Sequence, residues 1–133
     1  MHQHPLLDNK NRLVAEVRAM QQKYGDRARL RRWANDLGWE YTVQESGRQF
    51  DIEIKYPYDY PGSPPRIFSV KGLPSSPHQL GSHELCWTNR WTSDTEWNPG
   101  RDTAVVCIPA AHRWFACLLV YLTIHRWPEG ADE

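Results

Sequence analysis

From Asn11 onward, apolar residues return at helical intervals: Leu13, Val14, Val17, Met20 and Tyr24, with Gly25 as a stop. That spacing predicts an amphipathic helix whose stripe packs on a core. The period then changes to two. Glu40-Tyr41-Thr42-Val43-Gln44 alternates, Ser46-Gly47 offers a turn, and Phe50 to Tyr56 alternates strictly. This is the pattern of half-buried strands with one wet face. Arg66 to Val70 and Arg29 to Trp33 are shorter strand candidates. Together they predict an antiparallel β-meander of three or four strands and an α+β fold. Tyr56 to Pro65 holds four prolines in ten residues. Proline has no N–H for a ladder, so this segment is a stiff connector whose rings pack on something else.

Gly72 to Trp97 shows little periodicity, and long structureless loops in small domains are usually functional. It contains His78, His83, Cys86, Trp87 and Trp91. Helical pattern returns after Asp102, which is placed as an N-cap, and runs from Thr103 to His125 with a kink expected at Pro109. Trp127-Pro128 ends it. This helix is expected on the same sheet face as the first, in a single domain covering residues 1–133.

Composition narrows the function. Sixteen basic and sixteen acidic residues cancel, so nothing favours nucleic acid or an anionic membrane as partner. The four arginines between Arg27 and Arg32 read as a solvated face before they read as a phosphate patch. Seven Trp and six Tyr suit both cores and interfaces. Three irregularly spaced cysteines argue against a disulfide framework and for a reducing, cytoplasmic compartment. Met1 to Asn11 has no apolar run of a secretory signal. The most apolar stretch, Trp114 to Ile124, is shorter than the roughly 20 residues a membrane span requires, and is expected as a buried helix.

Three motifs in order carry a resemblance. Tyr60-Pro61-x-x-Pro64-Pro65 precedes the Arg66 strand, Leu85-Cys86 lies in the long loop, and Trp97-Asn98-Pro99 precedes the last helix. These are similar to the Tyr-Pro-x-x-Pro-Pro, Ile/Leu-Cys and Trp-Ser-Pro signatures of the ubiquitin-conjugating enzyme family, over Trp39 to Trp127. The resemblance implies that Cys86 carries an acyl group as a thioester. It also implies that the position of the family's oxyanion-stabilising asparagine is held here by His78, after Pro77. A histidine N–H can stabilise an oxyanion, and a neutral imidazole can instead take the amine's proton. The span from Cys86 to Trp97 is longer than is common, and one helix ends the chain. In these respects the chain resembles compact bacterial relatives in anti-phage defence and ubiquitin-like conjugation operons. No cofactor is implied. The implied partners are a donor protein with a free C-terminus (a ubiquitin-like protein or a signalling nucleotidyltransferase), a separate activating enzyme and an acceptor protein. No Gly-rich nucleotide loop occurs in the sequence for activating the donor.

Other readings compete. Cys107 and Cys117 lie in the apolar helix and read as small buried hydrophobes. His83 matches no position of the family. Asp94 and Glu96 are candidates for handling the acceptor amine, though loop carboxylates are more often simply solvated. A non-catalytic relative of the same fold would act as a protein-binding module. His78, His83, Cys86 and His112 offer zinc-type ligands, but their spacing matches no zinc pattern. Carbohydrate binding by exposed aromatic residues lacks a supporting polar pattern.

Overall fold

The structure, a computed structural model, describes residues 3–88 and 97–128. Helix α1 spans Lys10–Tyr24. The Asn9 side chain caps it by accepting the Arg12 N–H. Gly25 closes it at φ 55, donating its N–H to the Gln21 carbonyl. A one-turn 3-10 helix, Pro5–Asp8, precedes α1 and was not predicted. It is capped by His4, whose Nδ1 accepts the Leu6 N–H while Nε2–H donates to the Tyr56 carbonyl at 2.8 Å. The predicted stripe holds for Met20, which is fully buried, and for the half-buried Leu13, Val17 and Tyr24. Val14 departs from it, at 39% exposure. The core-facing place belongs instead to Glu16, at 1%.

The sheet has five antiparallel strands in sequential order: β1 (Ala28–Trp33), β2 (Asp36–Glu45), β3 (Arg48–Lys55), β4 (Arg66–Ser69) and β5 (Glu84–Leu85). The expectation of three or four strands missed β5, whose two residues are too few to show a period. Ser46 (φ 52) and Gly47 (φ 77) form the two-residue turn between β2 and β3. Leu37, Trp39, Tyr41 and Val43 of β2 point inward with Ile52, Ile54 and Ile67, while Glu40, Thr42, Gln44 and Asp51 stay on the wet face. Gly38 is required by close approach: a Cβ there would lie 1.9 Å from the Ile54 carbonyl oxygen.

Helix α2 (Cys107–Ile124) follows a 3-10 turn at Ala104–Val106. Thr103, not Asp102, caps this turn, its hydroxyl accepting the Val105 N–H. Asp102 is buried and turned the other way, accepting the Asn98 N–H at 2.9 Å and the Arg101 guanidinium. Arg101 thereby holds the Asp102 carboxyl below its usual pKa. Pro109 occupies the first turn of α2, where a missing N–H removes little, and the helix continues unbroken to Ile124.

Ile108, Phe115 and Leu118 bury the inner face of α2, and Phe115 stacks on Phe50 at 4.2 Å. Each such side chain contributes roughly 1.5–3 kcal/mol by leaving water. Tyr41 touches Tyr24 of α1 and His112 of α2, so both helices cover one face of the sheet, as predicted. The apolar stretch is longer than expected. Ala104–Ile124 has a mean hydropathy of 1.7, enough by length and composition alone to cross a membrane. In this fold its inner face is the core.

Candidate active site

The chain around Cys86 is held by neighbours on both sides. Leu85 ends β5 and is buried in the core. Trp87 is buried too, and its indole N–H donates to the Pro65 carbonyl at 3.0 Å. The Cys86 N–H donates to the His78 carbonyl at 2.9 Å. With these anchors the Cys86 side chain is half-exposed and lines an open groove of about 330 Å³. Pro57, Pro64, Pro65, Leu80, Leu85 and Trp87 supply its apolar surface. Asp59 and Glu84 add carboxylates. Glu84 is itself buried, and the more exposed Arg66 engages it through two hydrogen bonds of 2.7 and 2.6 Å, a bidentate pair.

His78 sits in the left-handed region at φ 61. Its carbonyl accepts a second donor, the Trp114 indole N–H, at 2.9 Å. The cysteine loop is thereby fastened to α2. The His78 ring stands edge-on to Trp127 with centroids 5.0 Å apart.

The two proline motifs meet. The Trp97 indole donates to the Pro61 carbonyl at 2.8 Å, and the Trp97 and Tyr60 rings lie 5.7 Å apart. Behind them is a buried polar hub that pattern reasoning missed. Glu16 accepts from the Tyr56 hydroxyl (2.9 Å), the Tyr60 hydroxyl, Arg12 Nε (3.0 Å) and the Ala104 N–H (2.9 Å). Arg12 also donates to the carbonyls of Pro99 (3.0 Å) and Asp102 (2.6 Å). One Arg–Glu pair on α1 therefore ties the proline connector to the segment entering α2. Burial, reinforced by the Glu16 carboxylate, pushes the Tyr56 and Tyr60 hydroxyls well above the ordinary tyrosine pKa. The available signal was a lone acid on an apolar stripe, four residues before Met20.

The remaining candidates disperse. Cys107 is wholly buried and Cys117 largely so, and burial raises both thiols, which suits packing and not nucleophilic attack. His83 is exposed, with its Nδ1 against the Ser82 hydroxyl at 2.8 Å. His112 bonds to Tyr41 and Glu45 at the far end of β2. Among the described residues no group of three His, Cys, Asp or Glu side chains is placed to hold a metal ion. Trp91, Asp94 and Glu96 lie outside the described residues.

No curated protein matches this chain. A family model described as the type II CBASS E2 protein matches residues 16–133, from the hub carboxylate through the cysteine loop to the end. With its antiparallel sheet, flanking helices and Tyr-Pro, Leu-Cys and Trp-x-Pro motifs, the chain belongs to this family, the compact bacterial ubiquitin-conjugating-enzyme-like proteins of anti-phage defence.

Proposed function

We propose that this protein carries the C-terminus of a donor protein as a thioester on Cys86 and transfers it to an acceptor amine. The observation that carries the reading is a half-exposed thiol at an open groove, with buried residues on either side of it. The Cys86 thiolate attacks the activated carboxyl carbon of the donor, an adenylate or thioester made elsewhere. The S–C bond forms as AMP or a thiol leaves. The acceptor amine then adds to the thioester carbonyl, giving a tetrahedral oxyanion. Collapse forms the amide, breaks the C–S bond and releases the thiolate, while the amine's proton passes to a base. The His78 ring is the group we assign to this step, as oxyanion donor or as base.

The apolar groove suits an extended donor tail. The donor is a ubiquitin-like protein or the C-terminus of a signalling nucleotidyltransferase of the same defence system, activated by a separate enzyme. Three free thiols suit a reducing cytoplasm.

The test is adduct formation with activated donor, followed with and without a thiol reductant. The native protein is expected to form a reducible adduct, Cys86→Ser a thiol-resistant oxyester, and Cys86→Ala none while remaining folded. Equal adduct on Cys86→Ala would overturn the reading. No adduct with every component present would leave the fold as a binding module.

A further inference from the structure

Helix α2 stops at His125, which adopts the left-handed conformation (φ 59) and donates its N–H to the Tyr121 carbonyl at 2.7 Å. A left-handed cap of this kind ends the helix and redirects the chain. His125 and Arg126 are exposed, yet Trp127, beyond the last helical turn, is 6% exposed. The sequence marks Trp127-Pro128 as the end of the helix and nothing more. The structure gives the tryptophan specific neighbours.

Trp127 packs against Trp114 at 5.5 Å and Tyr121 at 6.2 Å between ring centroids. These two lie seven residues apart on α2 and therefore on one face of it. The third neighbour is the His78 ring, at 5.0 Å and 66° between ring planes. Trp114 also donates its indole N–H to the His78 carbonyl at 2.9 Å. One aromatic cluster thus holds His78 twice, by its backbone through Trp114 and by its ring through Trp127. His78 in turn lies across from the nucleophile. Gln79 and Leu85 form an antiparallel bridge, and the next residues outward, His78 and Cys86, are joined by the Cys86 N–H and the His78 carbonyl. A histidine ring turns about two side-chain bonds. An edge-on aromatic neighbour favours one orientation over others by about two- to tenfold. Misplacing a reacting group by 1 Å costs up to about a hundredfold in rate.

We propose that Trp127 is a positioning residue for the transfer step: its ring fixes the orientation of the His78 imidazole toward the Cys86 thioester. This role rests on the assignment of His78 to that step. Trp127 acts through His78 alone, so loading of Cys86 is independent of it.

A peptide thioester of a small thiol loads Cys86 by exchange, releasing the small thiol. n-Butylamine then takes the acyl group as an amide and releases the Cys86 thiolate. Intact mass follows the two steps separately. Trp127→Leu should slow transfer about tenfold to a hundredfold and leave loading unchanged. Trp127→Phe retains an aromatic edge and should lose less. In a His78→Gly background Trp127→Leu should cost nothing further, because the group it orients is gone. The His78 ring-proton resonances should shift in Trp127→Leu, where the indole ring current is lost. Native transfer by Trp127→Leu, with His78→Gly slow, overturns the positioning role and leaves the His78 assignment standing. Native transfer by His78→Gly removes that assignment and the positioning role with it, and failure of the native protein to load removes the carrier reading as well. Equal slowing of loading and transfer, a further loss in the double variant, or unchanged His78 resonances makes Trp127 a packing residue and overturns the proposal. If Trp127→Leu does not fold, Trp127→Phe, alone and with His78→Gly, decides by the same comparisons.

Discussion

Removing the Glu16 carboxylate tests the buried hub. In Glu16→Ala four donors lose their acceptor, and they do not lose it equally. Arg12 is partly exposed and keeps its bonds to Pro99 and Asp102, so it recovers much of its solvation. The Tyr56 hydroxyl and the Ala104 N–H are both deeply buried, and both donate to the same Glu16 oxygen. Each orphaned buried donor costs about 1–3 kcal/mol, before the small cavity is counted. A total of about 3–5 kcal/mol follows, in line with breaking a buried ion pair from one side. Glu16→Gln retains an oxygen at the Oε1 position for Tyr56 and Ala104. It places an amide N–H₂ against the Tyr60 oxygen, so the loss reduces to roughly 1.5–3 kcal/mol, mainly the Arg12 contact. Urea unfolding measures both. With a slope of about 1–3 kcal/mol per molar, the alanine variant should lower the midpoint by about 2 M, the glutamine variant by clearly less, and neither should change the slope. Equal midpoints for the two variants, or a loss under about 1 kcal/mol in Glu16→Ala, would refute the hub as the tie between α1, the connector and α2.

His78 already carries a Cβ at φ 61, so His78→Ala removes the ring and keeps the backbone strain of about 1–2 kcal/mol that an L-residue meets there. His78→Gly removes the ring without the strain, so it should slow transfer about a hundredfold or more while thioester loading persists. His78→Asn should restore transfer if donation is the role and not if proton removal is, and native transfer rates in His78→Gly would remove the ring from the mechanism. At alkaline pH, Tyr56 and Tyr60 stay neutral in the folded protein while unfolded tyrosines ionise near pH 10. Stability should therefore be level below about pH 10 and fall above it by about 1.4 kcal/mol per pH unit for each of the two, with delayed appearance of tyrosinate absorbance as the check. Gly38→Ala drives a Cβ into the Ile54 carbonyl and should lower the thermal midpoint by several degrees or prevent folding; an unchanged midpoint would show that β2 and β3 separate freely there.

Alternation made β3 and the Glu40 to Gln44 part of β2 legible, because there one face is wet and the other buried, whereas Leu37, Gly38 and Trp39 are all buried and show no alternation. The Ser46-Gly47 turn was legible for the same local reason. Periodicity could not register β5, yet those two residues place Cys86 against the core. The α2 cap was misassigned to Asp102 because two capping residues adjoin, and only the Arg101 and Asn98 contacts decide between them. Of the candidate site, motif order singles out Cys86. Glu16, Arg12 and Trp114 were not, because their partners are distant in sequence and a pattern of apolar spacing says nothing about which polar groups meet.

The left-handed turn at His78 separates scaffolding from reactivity. Its carbonyl, not its ring, anchors the Cys86 and Trp114 N–H groups. Asparagine and histidine are both over-represented among the residues that tolerate positive φ. Their codons differ by a single base. An exchange between them leaves both anchors in place and alters only the group the side chain presents, so evolution can retune this position without first finding a compensating change elsewhere in the loop.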